Sequence, residues 1–271
     1  MVKVAFQGER GAFSEDAATK LFSEDIDFLP CVGLKEVFKL VSHDEVEFGV
    51  VPLENSQAGS INETYDLLLA YTLNIFAEVI LKVSHCLMAL PGEKLTDITT
   101  IYSHPQALAQ CAEFLSKLNV EIMPSYDTAG SAKMIKEKEL ENCAAIASKR
   151  AADIYELEIL APEIETNVNN YTKFVAISKQ KAKPAQRNKT SLVFAVEHEP
   201  GSLYRILGFF ASRNINLAKL ESRPSRTKPW EYVFYVDFEG HLDGKLYQEA
   251  VRELQKQAAF VKILGSYPQA T

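Results

Sequence analysis

From the start of the chain to about residue 178, short apolar, β-branched runs alternate with segments whose apolar positions recur at helical spacing, the pattern of parallel sheets covered by helices. Val2–Phe6, Ile26–Leu29, Phe48–Val51, Ile98–Tyr102, Val120–Met123, Cys143–Ala147 and Thr172–Ile177 read as strands. Between them Phe13–Phe22, Leu34–Val41, Ile61–Ala70, Pro105–Leu118 and Thr128–Lys138 read as helices. The long extended stretch Asn74–Leu90 breaks this rhythm and is suited to carry the chain from one lobe to another.

At residues 179–189 the composition shifts to repeated positive charge with almost nothing to bury, which predicts a solvated linker. Beyond it strand Ser191–Val196, helix Ser202–Ala211, strands Asn216–Ser222 and Tyr232–Phe238, helix Lys245–Gln255 and strand Val261–Leu264 give the order βαββαβ. That order is a ferredoxin-like unit.

Composition narrows the function. At 271 residues, 47% hydrophobic and 24% charged, the chain predicts two or three folded lobes. A formal net charge of −7 gives no electrostatic reason to bind nucleic acid or acidic lipid. Met1-Val2-Lys3 runs directly into strand-like sequence and no apolar run is long enough to span a bilayer, so a cytoplasmic protein is expected. Cys31, Cys86, Cys111 and Cys143 are scattered in apolar settings without metal-ligand spacing, which predicts reduced core thiols and no metal.

In doubly wound sheets, ligands gather where strands end and helices begin. Gln7–Glu15 places two glycines before Ser14 at the first such junction, a pattern that by itself reads more readily as a helix cap than as a ligand site. Glu54-Asn55-Ser56-Gln57 follows a hydrophobic strand, and four polar side chains in that place are costly unless they meet solvent or ligand. Ser103 and His104 precede Pro105 at a helix mouth, where a histidine can help bind a carboxylate or serve the fold alone. Asp127-Thr128 opens another helix, and Asn170-Tyr171-Thr172-Lys173-Phe174 delivers a lysine that wants an anionic partner into a buried strand.

Val51-Pro52-Leu53-Glu54-Asn55-Ser56, Ser103-His104-Pro105-Gln106-Ala107-Leu108 and Asn170-Tyr171-Thr172-Lys173-Phe174, in this order, resemble the prephenate dehydratase family. Gly11-Ala12-Phe13-Ser14 and Ala144–Ser148 add to the likeness. Glu199-Pro200-Gly201-Ser202-Leu203 and Leu220-Glu221-Ser222-Arg223-Pro224 are similar to the effector motifs of the family's ACT domain.

The resemblance implies a two-lobed catalytic region over residues 1–178, like a type II periplasmic binding protein. Lobe 1 takes about 1–75 and 165–178 and lobe 2 about 76–164; an ACT domain follows over 190–271. It implies conversion of prephenate to phenylpyruvate, carbon dioxide and water without a cofactor, with arogenate as an alternative substrate and a non-catalytic sensor as the competing class.

Thr172 is the residue implied at the leaving hydroxyl, and Glu54 is a candidate proton source. Ser14, Asn55, Ser56, Ser103, His104, Gln106, Thr128, Asn170, Lys173 and Phe174 are candidate substrate contacts, with Lys173 near a carboxylate where the family usually has arginine. L-phenylalanine is implied as effector at Gly201, Ser202, Leu203, Glu221, Ser222, Arg223 and Pro224, in a homodimer or homotetramer assembled through ACT domains.

Overall fold

The computed structural model describes residues 1–22, 25–225 and 231–270. Its elements begin β1 Val2–Gln7, α1 Phe13–Phe22, β2 Ile26–Cys31, α2 Leu34–Ser42, β3 Phe48–Asn55, β4 Gly59–Ser60, α3 Asn62–Ala70 and β5 Asn74–Lys82. They continue β6 Cys86–Ala89, β7 Thr100–Ser103, α4 Pro105–Gln110, α5 Ala112–Leu115, β8 Glu121–Pro124, α6 Thr128–Lys138, β9 Cys143–Ala147, α7 Lys149–Tyr155, β10 Glu158–Ala161 and β11 Tyr171–Ser178. The last are β12 Asn188–Ala195, α8 Ser202–Ala211, β13 Leu217–Pro224, β14 Tyr232–Glu239, α9 Lys245–Gln257 and β15 Phe260–Pro268.

The described residues form three sheets. The first has the order β2-β1-β3-β11-β5 with β4 paired to β3, the second β10-β6-β9-β7-β8, and the third β13-β14-β12-β15. β1 lies between β2 and β3 and is parallel to both, and Val4, Ala5 and Phe6 are fully buried, as a strand covered on both faces requires. Helix α2 buries Leu34, Val37, Phe38 and Val41, one stripe at helical spacing.

The extended Asn74–Leu90 segment is split as β5 of the first sheet and β6 of the second, so it is the crossover its composition suggested. The second sheet differs from the all-parallel expectation, because β6 is antiparallel to both β9 and β10. The helix expected over Pro105–Leu118 breaks at Cys111, whose backbone φ −103° and ψ 13° close α4 before α5 begins. Helix α7 and strands β4 and β10 are too short for periodicity to reveal.

By compactness the chain divides into two units, Met1–Thr64 with Val79–Phe174, and Tyr65–Glu78 with Val175–Thr271. Strands β5 and β11 and helix α3 each change unit along their length. In the second unit α8 and α9 cover one face of the βαββαβ sheet through Leu192, Phe194, Ile206, Phe210, Val236, Phe238 and Leu254.

The residues expected to form a solvated linker end otherwise. Asn188 and Lys189 already belong to β12, and Lys189 is 4% exposed with its ammonium 2.7 Å from Glu78. A lysine in a basic run looks solvated until a distant carboxylate from β5 arrives to neutralise it. All four cysteines are free; Cys31, Cys86 and Cys111 are buried, and burial pushes the Cys31 thiol up to about 12.

Candidate active site

Within the first unit, the carboxyl ends of β1, β3 and α-helical mouths from the second sheet enclose a cavity of about 200 Å³. Its walls include Gln7 and Phe13, Ser14, Pro52, Asn55, Val83 and His85, then His104, Gln106, Gln110, Tyr126, Asp127 and Thr128, and finally Thr172 and Phe174. Of the residues singled out in the sequence, Ser14, Asn55, His104, Gln106, Thr128, Thr172 and Phe174 meet here.

The floor is a hydrogen-bonded chain of uncharged groups. Asn55 Oδ1 accepts the backbone N–H groups of Gln57 at 3.0 Å and Ala58 at 2.9 Å, which fixes which end of its amide is which. Asn55 Nδ2 therefore donates, to Thr172 Oγ1 at 2.9 Å and to Asn170 Oδ1 at 2.8 Å. Asn170 Nδ2 donates in turn to Gln110 Oε1 at 3.2 Å, and the same oxygen lies 2.9 Å from His85 Nε2. An oxygen has only lone pairs to offer, so His85 carries its hydrogen on Nε2.

His85 is 2% exposed, and burial holds its imidazole below the usual histidine range, the side-chain bond to Gln110 and the charge of Glu165 opposing that shift. Its ring packs edge-on against Phe13 with centroids 5.6 Å apart. At the helix mouths His104 Nδ1 accepts from Gln106 N at 3.2 Å, and Asp127 Oδ1 accepts from Gly130 N at 2.7 Å. Burial raises the Asp127 carboxyl above its ordinary range.

The glycine turn serves the scaffold. Gly11 has φ +86°, and a Cβ there would stand 2.7 Å from the Cα of Ala151. Its carbonyl accepts the Ser148 hydroxyl at 2.6 Å, and its N–H donates to Glu15 at 2.6 Å, so β1's exit is locked to the start of α7.

Other sequence candidates sit behind the wall. Ser103 is fully buried and donates to the Ile146 carbonyl at 2.6 Å, and the Asn170 side chain, itself outside the lining, bonds to two residues within it, Asn55 and Gln110. Ser56 Oγ bridges Asn169 O and Tyr171 N. Glu54 and Lys173 correct the sequence reading more sharply. They pair with each other, Nζ to Oε2 at 3.0 Å, and neither lines the cavity. Alternation along β11 that turns Thr172 and Phe174 inward sends Lys173 to the other face.

Sequence reasoning passed over His85 and Gln110. Gln110 is one helical turn from Gln106 on the short helix opened by His104, and that spacing was the available signal. His85 lies in the crossover, where no strand-to-helix junction marks it.

In the second unit the two effector motifs stand at one end of the third sheet. Ala195 and Arg223 both pair with Val233, and Gly201, at φ +81°, opens α8 after the loop that follows β12. Ser202 accepts from Arg205 at 3.0 Å, and Leu203 packs on the helix-covered core. Glu221 pairs with Lys219 at 3.0 Å, and Arg223 lies 3.4 Å from Asp66 with its guanidinium over the rings of Tyr65 and Tyr235. Ser222 and Pro224 are exposed.

Comparison with known proteins agrees with these motifs. The family model described as prephenate dehydratase matches residues 4–182, and that of the ACT domain residues 190–256. An Arabidopsis thaliana protein named arogenate dehydratase/prephenate dehydratase 2 is 43% identical over all of this chain and 74% of its own length. The bifunctional chorismate mutase/prephenate dehydratase of Aquifex aeolicus is 38% identical over 99% of this chain and 74% of its own. A solved prephenate dehydratase from Arthrobacter aurescens in complex with L-Phe superposes with a TM-score of 0.89 at 31% identity, over 99% of this chain and 90% of that one.

The fold class is therefore the α/β, type II periplasmic-binding-protein-like region with an ACT domain that the motifs implied. A match that begins at residue 4 and holds to residue 182, with an ACT domain after it, leaves one assignment: this chain belongs to the prephenate dehydratase family.

Proposed function

We propose that the cavity converts prephenate to phenylpyruvate, carbon dioxide and water, and that L-phenylalanine regulates this from the ACT domain. The ring carboxylate leaves as carbon dioxide, its bonding electron pair moves through the ring, and the C–O bond to the ring hydroxyl breaks. The departing hydroxide takes one proton and becomes water. Aromaticity supplies the driving force, so the kinetic task is to assist the leaving oxygen.

The observation that carries this reading is the direction of the Asn55–Thr172 hydrogen bond. Because Asn55 donates to Thr172 Oγ1, the hydroxyl's own hydrogen is left to point elsewhere, and Thr172 lines the cavity. A threonine hydroxyl is too weak an acid to be deprotonated outright, so Thr172 stabilises the leaving oxygen as a donor. The neutral amide chain behind it suits a substrate whose leaving carboxylate should not be gripped by charge, since such a grip favours the ground state. Glu54 is engaged by Lys173 and lies outside the cavity lining, which gives no support to a role as the proton source.

Mixing the protein with prephenate and following phenylpyruvate tests the reading; no product ends it, and also leaves the sensor class standing. Arogenate is a second candidate substrate. It carries an ammonium where prephenate has a keto oxygen, and Asp127 is a carboxyl group on the cavity wall. Parallel kcat/KM measurements on both compounds decide between them.

L-phenylalanine titration with calorimetry and activity together tests the effector. The reading includes a cytoplasmic homo-oligomer joined through ACT domains, which sedimentation of the full chain checks for assembly.

A further inference from the structure

Strands β3 and β11 are neighbours in the first sheet, and consecutive side chains on each turn to opposite faces. Asn55 meets Thr172 at 2.9 Å on the cavity side. One residue away on each strand, Lys173 Nζ meets Glu54 Oε2 at 3.0 Å, outside the cavity wall. We propose that Glu54 and Lys173 are a positioning pair, an electrostatic staple that holds the end of β3 against the start of β11 so that the Asn55 amide is aimed at the Thr172 hydroxyl. The kinetic part of this proposal rests on the dehydratase reading of the cavity.

The staple sits where the backbone gives least help. β3 ends at Asn55 and turns through Gln57 and Ala58 into β4, while β11 only begins at Tyr171. Past that point the strands are held by Ser56 N to the Tyr171 carbonyl at 2.8 Å and by Tyr171 N to Ser56 Oγ at 2.9 Å. The two charged side chains are 22% and 32% exposed, so water screens them less than an open surface pair.

The contact also explains how lysine serves where relatives of this family usually carry arginine. A single Nζ–Oε2 approach needs a point charge and makes no use of a planar two-pronged guanidinium. A small misplacement of a group at the reacting centre is costly in rate even when substrate binding is untouched.

The test uses the full-length protein with Lys173→Met, Glu54→Gln and the reversed pair Glu54→Lys with Lys173→Glu, all checked for folding by circular dichroism. Each single variant is expected to lower kcat about tenfold with KM little changed, and the reversed pair to recover most of the loss. Lys173→Arg is expected to keep activity. A rise in KM at unchanged kcat in Lys173→Met would instead place the ammonium on the substrate and overturn the proposal, as would a reversed pair no better than the single variants.

Side-chain amide exchange of Asn55, read by NMR, supplies an answer independent of turnover. Protection should fall in the single variants and return in the reversed pair, and unchanged protection in the single variants sinks the staple. If the wild-type protein makes no phenylpyruvate, the dehydratase reading fails while this measurement still judges the pair.

Discussion

The cavity floor of the first unit and the buried side of β12 in the second treat buried polar groups in opposite ways. That floor is built of amides and a hydroxyl: Asn55, Asn170, Gln110 and Thr172 are linked by hydrogen bonds to one another and to His85, and burial lowers the imidazole below its usual range, which favours its neutral form. The second unit's core contact is ionic. Glu78 accepts both ammonium contacts of Lys189 at 2.8 and 2.7 Å, Asp237 stands 4.0 Å away, and Ser191 donates to Asp237 while accepting from the Tyr267 hydroxyl.

Nearby, Lys262 Nζ donates to the carbonyls of Leu68, Leu69 and Tyr71, closing the last turn of α3. A site that must assist loss of one carboxylate from an anionic substrate gains from aimed dipoles without charge. A packing surface with no chemistry to perform tolerates charges wherever both partners arrive together.

The comparison can be broken at its strongest points first. Thr172→Ala, which removes the hydroxyl that Asn55 Nδ2 orients in the cavity and that the proposed function sets at the leaving oxygen, is expected to lower kcat by about 10²–10⁴-fold with folding intact, as steady-state turnover of prephenate would show. A variant that keeps full rate would move the leaving-group role to another group.

Glu78→Gln should leave catalytic chemistry alone and cost stability, about 3–5 kcal/mol by denaturant melts, because the ammonium of Lys189 stays buried without its carboxylate. If that variant is as stable as the wild type, the ionic network is not what holds the second unit. Lys262→Met should cost less, about 1–3 kcal/mol, by leaving three helix-terminal carbonyls without their donor; a thermal melt measures it.

The smallest effect concerns pH. His85 is held below the usual histidine range, so between that range and more acid conditions the unfolded chain binds a proton that the folded one refuses. Stability is then fully present above the ordinary histidine range and declines as pH falls through about 6.5. Asp16 acts with the opposite sign: burial raises its carboxyl from 3.8 to about 6, so it costs stability as pH rises through that interval. Comparing His85→Gln with the wild type at each pH isolates the histidine, and identical pH profiles would refute its share.

Much of the architecture was legible before folding was considered. Alternation and helical spacing located β1, α1, α2, α6, β9 and β11 to within a residue or two, because each buries one face or both against a single core. The order βαββαβ was likewise readable, and the motif-bearing turns did converge on one cavity.

Partnership across the chain was not readable. Nothing local in Lys173 distinguishes a lysine waiting for a substrate carboxylate from one already paired with Glu54, and nothing in Lys189 tells a solvated linker lysine from a buried one. His85 became part of the cavity only because the crossover between β5 and β6 carries it beside Gln110.

The amino-acid order by itself thus determined periodicity, chain reversals and the family motifs, since these depend on neighbours within a few residues. Tertiary structure alone decided which carboxylate neutralises which ammonium and which end of Asn55 faces Thr172. Those are settled by distances between residues more than a hundred positions apart, as with Asn55 and Thr172 at a separation of 117. Hydrogen bonds and charges act over a few ångströms of space, and only the folded chain defines that space.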